Sequence, residues 1–189
     1  MEMSVGVERG VAGRSRYSSV AIALHWAIAT LVIANIVIGL LHESLLRGTM
    51  PIHKAIGICV LALTVLRLLW RVVHRPPPLL ASLQWWERGL AKAVHWAFYA
   101  LLLLLPISGW IFTSASPKRS PLSMFGLFDM PYFPVPQSKA IGSVWHERHV
   151  IMAYIMIALV VLHICGALKH RFYDRDRTLD RMLPGAGPA

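Results

Sequence analysis

Four apolar runs, Val20 to Leu41, Ala55 to Val73, Ala93 to Thr113 and Val150 to Leu168, constrain this chain more than any other feature. Each is close to the ~20 residues that a helix needs to cross a ~30 Å hydrocarbon core. With 56% hydrophobic and 15% charged residues, the 189-residue chain has too little polar material to cover the surface of a soluble domain. The expected fold is all-α: one integral membrane four-helix bundle running up-down-up-down. Its spans are expected at about 19–42, 52–73, 89–113 and 146–169, with a long loop at 114–144. Little chain is left over for a soluble catalytic module.

Arg9, Arg14 and Arg16 precede the first run as they would in a signal peptide. That run is too long, however, and His25 and Asn35 interrupt it with no small-residue cleavage pattern after it, so it reads as a retained helix. Cys59 and Cys165 fall in separate apolar runs, which argues against a disulfide, and the absence of CxxCH excludes covalent c-type haem. The formal charge of +10 does not form a soluble patch, so nucleic acid is not an expected partner. Placing the amino terminus in the cytoplasm puts Arg67, Arg71, Arg75, Arg88, Lys92 and the basic residues of both termini inside. Arg47, Lys54, Lys118, Arg119, Lys139 and Arg148 then lie outside, and the bias of cytoplasmic loops toward Lys and Arg supports both termini in the cytoplasm.

Gly48 and Pro51 mark the first connection, and Pro76-Pro77-Pro78 the second, ahead of the interfacial Trp85 and Trp86. The long third connection carries Pro117, Pro121, Pro131, Pro134 and Pro136 with several aromatic residues. It reads equally as a lid on the outer mouth of the bundle or as an interfacial cap. After the fourth run a mixed-charge tail from Lys169 to Arg177 is expected along the inner membrane surface.

Nine histidines are many for such a chain, and their depths matter, since polar side chains within spans usually face a bundle interior. His149 and His163 are fourteen residues apart, which on a helix returns within ~40° of the starting direction after a rise of ~21 Å. One helix therefore offers an imidazole at each of two depths. Antiparallel topology adds His25 and His95 to the inner layer and His53 to the outer. Two imidazoles per layer suit a six-coordinate haem b, whose full ligation favours electron transfer over oxygen binding. Gly57 and Gly166 follow His53 and His163 by about a turn, Gly39 and Gly109 lie elsewhere in the spans, and any of them would allow close approach. Zinc or iron transport sites recruit carboxylates or thiolates, and the apolar runs contain no Asp or Glu. Met152 and Met156 read as packing residues, and His42, His74, His146 and His170 as solvated boundary histidines.

Several landmarks together resemble the bacterial di-haem cytochrome b561 family, related to the cytochrome b subunits of hydrogenases and formate dehydrogenases. They are Leu24-His25-Trp26, Ile52 to Gly57, Arg67 to Arg71 with the prolines after it, His95-Trp96, Leu105 to Gly109, His149 with His163, and the segment from Leu168 through Pro184. The resemblance covers about residues 17 to 185. It implies two haem b groups, with His25 and His163 on the inner iron and His53 and His149 on the outer. Helix geometry leaves His95 open as the inner ligand in place of His25; otherwise it would stand beside the site, near a propionate or quinone. The resemblance also implies a multi-pass protein of the bacterial inner membrane that exchanges electrons with ubiquinone or another quinone. Superoxide is the implied outer donor, with Lys54 and Arg148 among the cations that would attract it. The alternative is a haem-anchor subunit relaying electrons for a redox partner protein. A haem-free histidine transporter would require carboxylates or broken helices that the runs lack.

Overall fold

The computed structural model describes residues 16–79 and 83–185, so Arg9 and Arg14, two of the charges behind the expected topology, lie outside the described residues. Four helices follow one another: α1 (Ser19–Leu41), α2 (Met50–Val73), α3 (Trp85–Ala115) and α4 (Lys139–Leu168). All four are long and apolar enough to cross a membrane. Among the described residues the only β pairing is an isolated bridge between Ser123 and Asp129. The chain is an all-α, membrane-spanning four-helix bundle.

Local chemistry sets the helix ends. Ser18 Oγ accepts from Ala21 N (3.3 Å) at the start of α1, and Gly48, at φ 82°, makes the turn into α2, which carries Pro51 in its first turn. The proline run after Arg75 stops α2, because each X-Pro step disfavours helical backbone before it. α3 starts at Trp85, ahead of its apolar run, through a capping box in which Gln84 N donates to Glu87 Oε2 at 3.0 Å. α4 likewise starts at Lys139, where Ser138 Oγ accepts from Ile141 N at 3.4 Å. Both helices thus begin in polar sequence that hydropathy cannot register.

Successive helices pack against one another, α1 on α2, α2 on α3 and α3 on α4. Ile28, Ile56, Val60, Leu101, Leu102 and Met156 form a buried waist. Met156, 2% exposed, is the one buried residue of α4. It stands seven residues from both His149 and His163, about 10 Å along the helix from each, so the waist lies between the two histidine depths. Leu66, Leu69, Val72, Ile151 and Val161 are exposed, as lipid-facing positions must be.

The two ends of the bundle differ. At the chain-terminus end, Arg67 donates to Ala21 O (2.7 Å), Trp70 to Ser18 Oγ (3.0 Å) and Trp26 to Met182 O (2.7 Å), while Arg16 reaches Leu183 O. The tail therefore folds back onto α1. A π turn over Lys169–Tyr173 places Lys169 between Glu87 and Asp174, both at 2.8 Å, and His170 between Asp174 (2.9 Å) and Asp176 (2.8 Å). His170, expected to be solvated, is instead held by two carboxylates. Burial would raise the Asp176 carboxyl, but hydrogen bonds from Thr178 and His170 outweigh it and hold the group below its ordinary value. Its folded value being depressed, the stability it contributes is present above the ordinary carboxylate range and is lost as pH falls through the lowered value.

At the opposite end, residues 116–138 form an ordered cap on α3. Trp110 Nε1 donates to Pro131 O (2.9 Å), Phe133 N to Ser114 Oγ (2.9 Å) and Arg119 Nε to Ser114 O (2.8 Å), and Leu122 is buried. Phe125 (φ 55°) and Gly126 (φ 80°) turn the hairpin tip.

Replacing Met156 with Ala should leave a cavity at the waist that lipid cannot reach, costing about 2–5 kcal/mol. A clearly lower unfolding temperature in detergent is expected, whereas Ile151→Ala, at a position 58% exposed, should change it little.

Candidate functional site

The structure brings the expected histidines together at two depths. At the loop end, His53 of α2 faces His149 of α4, with ring centres 6.2 Å apart and planes at 74°. At the chain-terminus end, His163 faces His25 at 6.3 Å and 73°, and His95 at 6.0 Å and 66°. Phe98 packs edge-on against His163 at 5.3 Å. His25 is half-buried, whereas His95 is exposed.

Each loop-end imidazole is fixed from behind. His53 Nδ1 lies 3.2 Å from Asn35 O, and His149 Nδ1 lies 3.1 Å from Leu105 O and 3.0 Å from Ser108 Oγ. Ser108, fully buried, donates its own proton to Leu105 O at 2.7 Å. A carbonyl accepts only, so each ring carries its proton on Nδ1 and offers the Nε2 lone pair forward, the arrangement that orients metal-binding histidines.

Glycines complete the seats. A Cβ on Gly39 would stand 3.0 Å from His53 Cε1, and one on Gly109 would stand 3.3 Å from His149 Cε1. In both cases the glycine follows the accepting carbonyl by four residues. Asn35, Gly39 and His53 on α1 and α2 are thus matched by Leu105, Gly109 and His149 on α3 and α4. The glycines that sit near the histidines in sequence do less: a Cβ on Gly57 would meet only Asn35 Nδ2 at 3.9 Å, and one on Gly166 would meet nothing within 4 Å. Sequence reasoning missed Asn35 O, Leu105 O and Ser108. The one available signal was a serine and a glycine together inside an otherwise apolar run.

The remaining histidines make other contacts. His42 Nδ1 is 2.8 Å from Gly39 O, His74 stacks on Trp70 at 3.8 Å, and His146 packs edge-on against Phe112 at 5.3 Å. Lys54, next to His53, donates to Ser120 Oγ at 2.5 Å and so ties α2 to the cap; Arg148, next to His149, lies over Trp145 at 5.1 Å.

The spacing can be tested against haem. A metal–imidazole bond is about 2 Å and the ring centre lies about 1 Å behind the nitrogen, so two imidazoles on opposite faces of one iron have centres about 6 Å apart. The facing rings observed here meet that spacing, and their donor set, imidazole without carboxylate or thiolate, suits haem iron.

Membrane-spanning helices that present facing imidazoles in this way define a membrane cytochrome of the b type. The chain belongs to the prokaryotic cytochrome b561 family, whose profile matches residues 16–185. It is 36% identical over 174 residues to cytochrome b561 homolog 2 of Escherichia coli (strain K12), covering 89% of this chain and 91% of that one. It is 30% identical over 179 residues to a protein of Yersinia pestis named probable superoxide oxidase CybB, covering 89% and 96%. Cytochrome b562 of Cereibacter sphaeroides is 27% identical over 183 residues, covering 88% and 94%. The chain is accordingly a multi-pass membrane electron-transfer protein that binds haem b.

Adding a methyl group behind either loop-end imidazole should displace the ring by a few tenths of an ångström. Gly39→Ala and Gly109→Ala are each expected to shift the electron paramagnetic resonance of low-spin haem, at a packing cost of about 1–3 kcal/mol. Gly166→Ala should leave the spectrum unchanged.

Proposed function

We propose that the chain holds two haem b groups, one between His53 and His149 and the other between His25 and His163, and conducts electrons across the bacterial inner membrane between superoxide and ubiquinone. The observation that carries this reading is the near-identity of the two pairs, 6.2 Å and 74° against 6.3 Å and 73°. The pair of His95 with His163, at 66°, departs further from the loop-end arrangement, which favours His25. Bound at these positions, fully ligated haem iron supplies one-electron transfer without an open site for oxygen.

The chain's own residues perform the rest. Asn35 O and Leu105 O hold the Nδ1 protons and so fix which nitrogen faces forward. In the orientation favoured by the basic residues, with both termini cytoplasmic, the loop end is outside. Lys54 and Arg148 then stand beside the outer pair and draw an anion toward it. Two superoxide anions give up one electron each and leave as dioxygen, while one ubiquinone takes up the two electrons with two protons to become the quinol. The 30% identity to the Yersinia pestis protein supports this choice of donor.

Haem extraction should give two non-covalent haems per chain, and a count near one would overturn the di-haem reading. His149→Ala should remove one haem and His163→Ala the other, because the ~21 Å rise between them assigns them to different depths. His25→Ala should abolish the chain-terminus haem while His95→Ala retains it; the reverse result would transfer the ligand role to His95.

Superoxide steering has its own readout. Raising salt from 0.01 M to 0.1 M cuts the Debye length from ~30 Å to ~10 Å, so stopped-flow reduction of the haems by superoxide should slow. Reduction by a neutral quinol should change much less. Equal salt sensitivity for both donors, or no reduction by superoxide, would favour a haem-anchor subunit that relays electrons for a partner protein.

A further inference from the structure

The bundle-facing stripe of α2 runs through Ile56, Val60 and Thr64, all buried and four residues apart. Arg67 and Arg71, three and seven residues beyond Thr64, continue that stripe, while the exposed Leu66, Leu69 and Val73 lie on the opposite, lipid-facing side. His53 meets Asn35 and Arg67 meets Ala21, which on these antiparallel helices sets His25 level with Leu63 and Thr64. From this stripe the two arginines reach to either side of the inner histidines. Arg67 donates to Ala21 O at 2.7 Å, one turn from His25 on α1, and Arg71 lies 5.8 Å over the ring of Tyr99, one turn from His95 on α3. Arg67 is within electrostatic range of both His25 and His95, and Arg71 of His95.

Two features of the stripe have no account within the protein. Thr64 is fully buried and its Oγ1 has no hydrogen-bond partner, a costly condition at membrane depth. Among the described residues, Arg67 and Arg71 form no salt bridge, and no carboxylate lines the groove they share. Carboxylates are not scarce nearby, since Lys169, His170 and Arg171 at the same end are each matched by an Asp or Glu at 2.8–3.1 Å. The dipole of α2 favours a cation at Arg71, in its last turn, but not at Arg67, six residues inside the helix end. A charged side chain within a span ordinarily has a partner.

A hydroxyl and two guanidiniums beside facing imidazoles, with no carboxylate among them, fit a ligand that brings carboxylates of its own, as haem b does in its propionates. We propose that Arg67 and Arg71 clamp the propionates of the haem held between His25 and His163, with the Thr64 hydroxyl as a further donor beside Arg67. The clamp rests on the assignment of a haem to that pair. Guanidinium forks match carboxylate oxygens in pairs, and a hydroxyl three residues from an arginine on one helix face lies next to it. The same positive charge stabilises an added electron on a neighbouring iron, so the clamp favours reduction at this haem.

The test uses the haem-loaded, full-length protein in detergent. Haem loss is followed as transfer to excess apomyoglobin, and the reduction equilibria by spectroelectrochemical titration. Arg67→Gln with Arg71→Gln should speed the loss of one haem at least about tenfold, the worth of one hydrogen bond to a charged group. It should also shift the reduction equilibrium of that haem about tenfold toward the oxidised form. The haem affected must be the one that His163→Ala removes. Arg175→Gln with Arg177→Gln, which takes the same charge from the exposed tail at the same end, should do neither.

Unchanged loss and unchanged reduction in an Arg67, Arg71 variant that still holds both haems would overturn the clamp alone. An equal effect of the Arg175, Arg177 variant would also overturn it, by showing a diffuse field in place of direct pairing. A His163→Ala protein that keeps two haems would instead overturn the haem assignment beneath it. Should the arginine variant fail to fold, the nearly isosteric Thr64→Val decides: faster loss of the same haem supports the clamp, and unchanged loss, as expected for removal of an unused hydroxyl, sinks it.

Discussion

The hydrogen bond from an imidazole Nδ1 to a backbone carbonyl of the neighbouring helix is the constraint around which the loop half of the bundle is organised. Within a helix, carbonyls are already engaged, so lending one to a second donor requires that the incoming ring approach the helix surface closely. Gly39 and Gly109 supply that approach by omitting the atom that would obstruct it. The bond then does three things at once: it joins α1 to α2 and α3 to α4, it satisfies a polar group in a region without water, and it selects the tautomer. In hydrocarbon the second of these is as important as the third, because an unpartnered N–H at that depth costs several kcal/mol.

The chain-terminus half is built on another principle. There the helices are joined by long side chains reaching carbonyls or carboxylates, as Arg67 reaches Ala21 O and Lys169 bridges Glu87 and Asp174. Such links suit an interface, where the charged heads meet water and the stems pack on apolar surface. Between the halves, Ile28, Ile56, Val60, Leu101, Leu102 and Met156 pack into an apolar waist. One bundle thus contains a hydrogen-bonded end, an apolar middle and a charged end.

Much of this was legible in the sequence because two periodicities, ~20 apolar residues per span and fourteen residues between His149 and His163, are properties of a single helix. The groupings of His53 with His149, and of His25 and His95 with His163, followed from antiparallel topology alone. What could not be read was whatever depends on the rotation of one helix against another. Gly57 and Gly166 drew attention by proximity in sequence, yet the seats belong to Gly39 and Gly109, which reach the histidines only through packing. The carbonyls of Asn35 and Leu105 leave no trace in residue identity, since every residue has one. The extra turns of α3 and α4 were hidden for a different reason: caps at Gln84 and Ser138 extend helices into polar sequence that leaves the bilayer's apolar signal behind.

His149 and His163 share a helix, and this has a consequence for how a redox pathway tolerates its solvent. Electron tunnelling rates fall steeply with separation, so a relay built from independently mobile parts would change its conductance whenever the bilayer thinned, thickened or changed composition. Membrane helices answer such mismatch mainly by tilting. A tilt of α4 carries both histidines together and leaves the interval between them to the covalent rise of the backbone. In the di-haem reading the gap between redox centres is therefore gauged by peptide geometry rather than by lipid, and the same chain would conduct alike in membranes of different thickness.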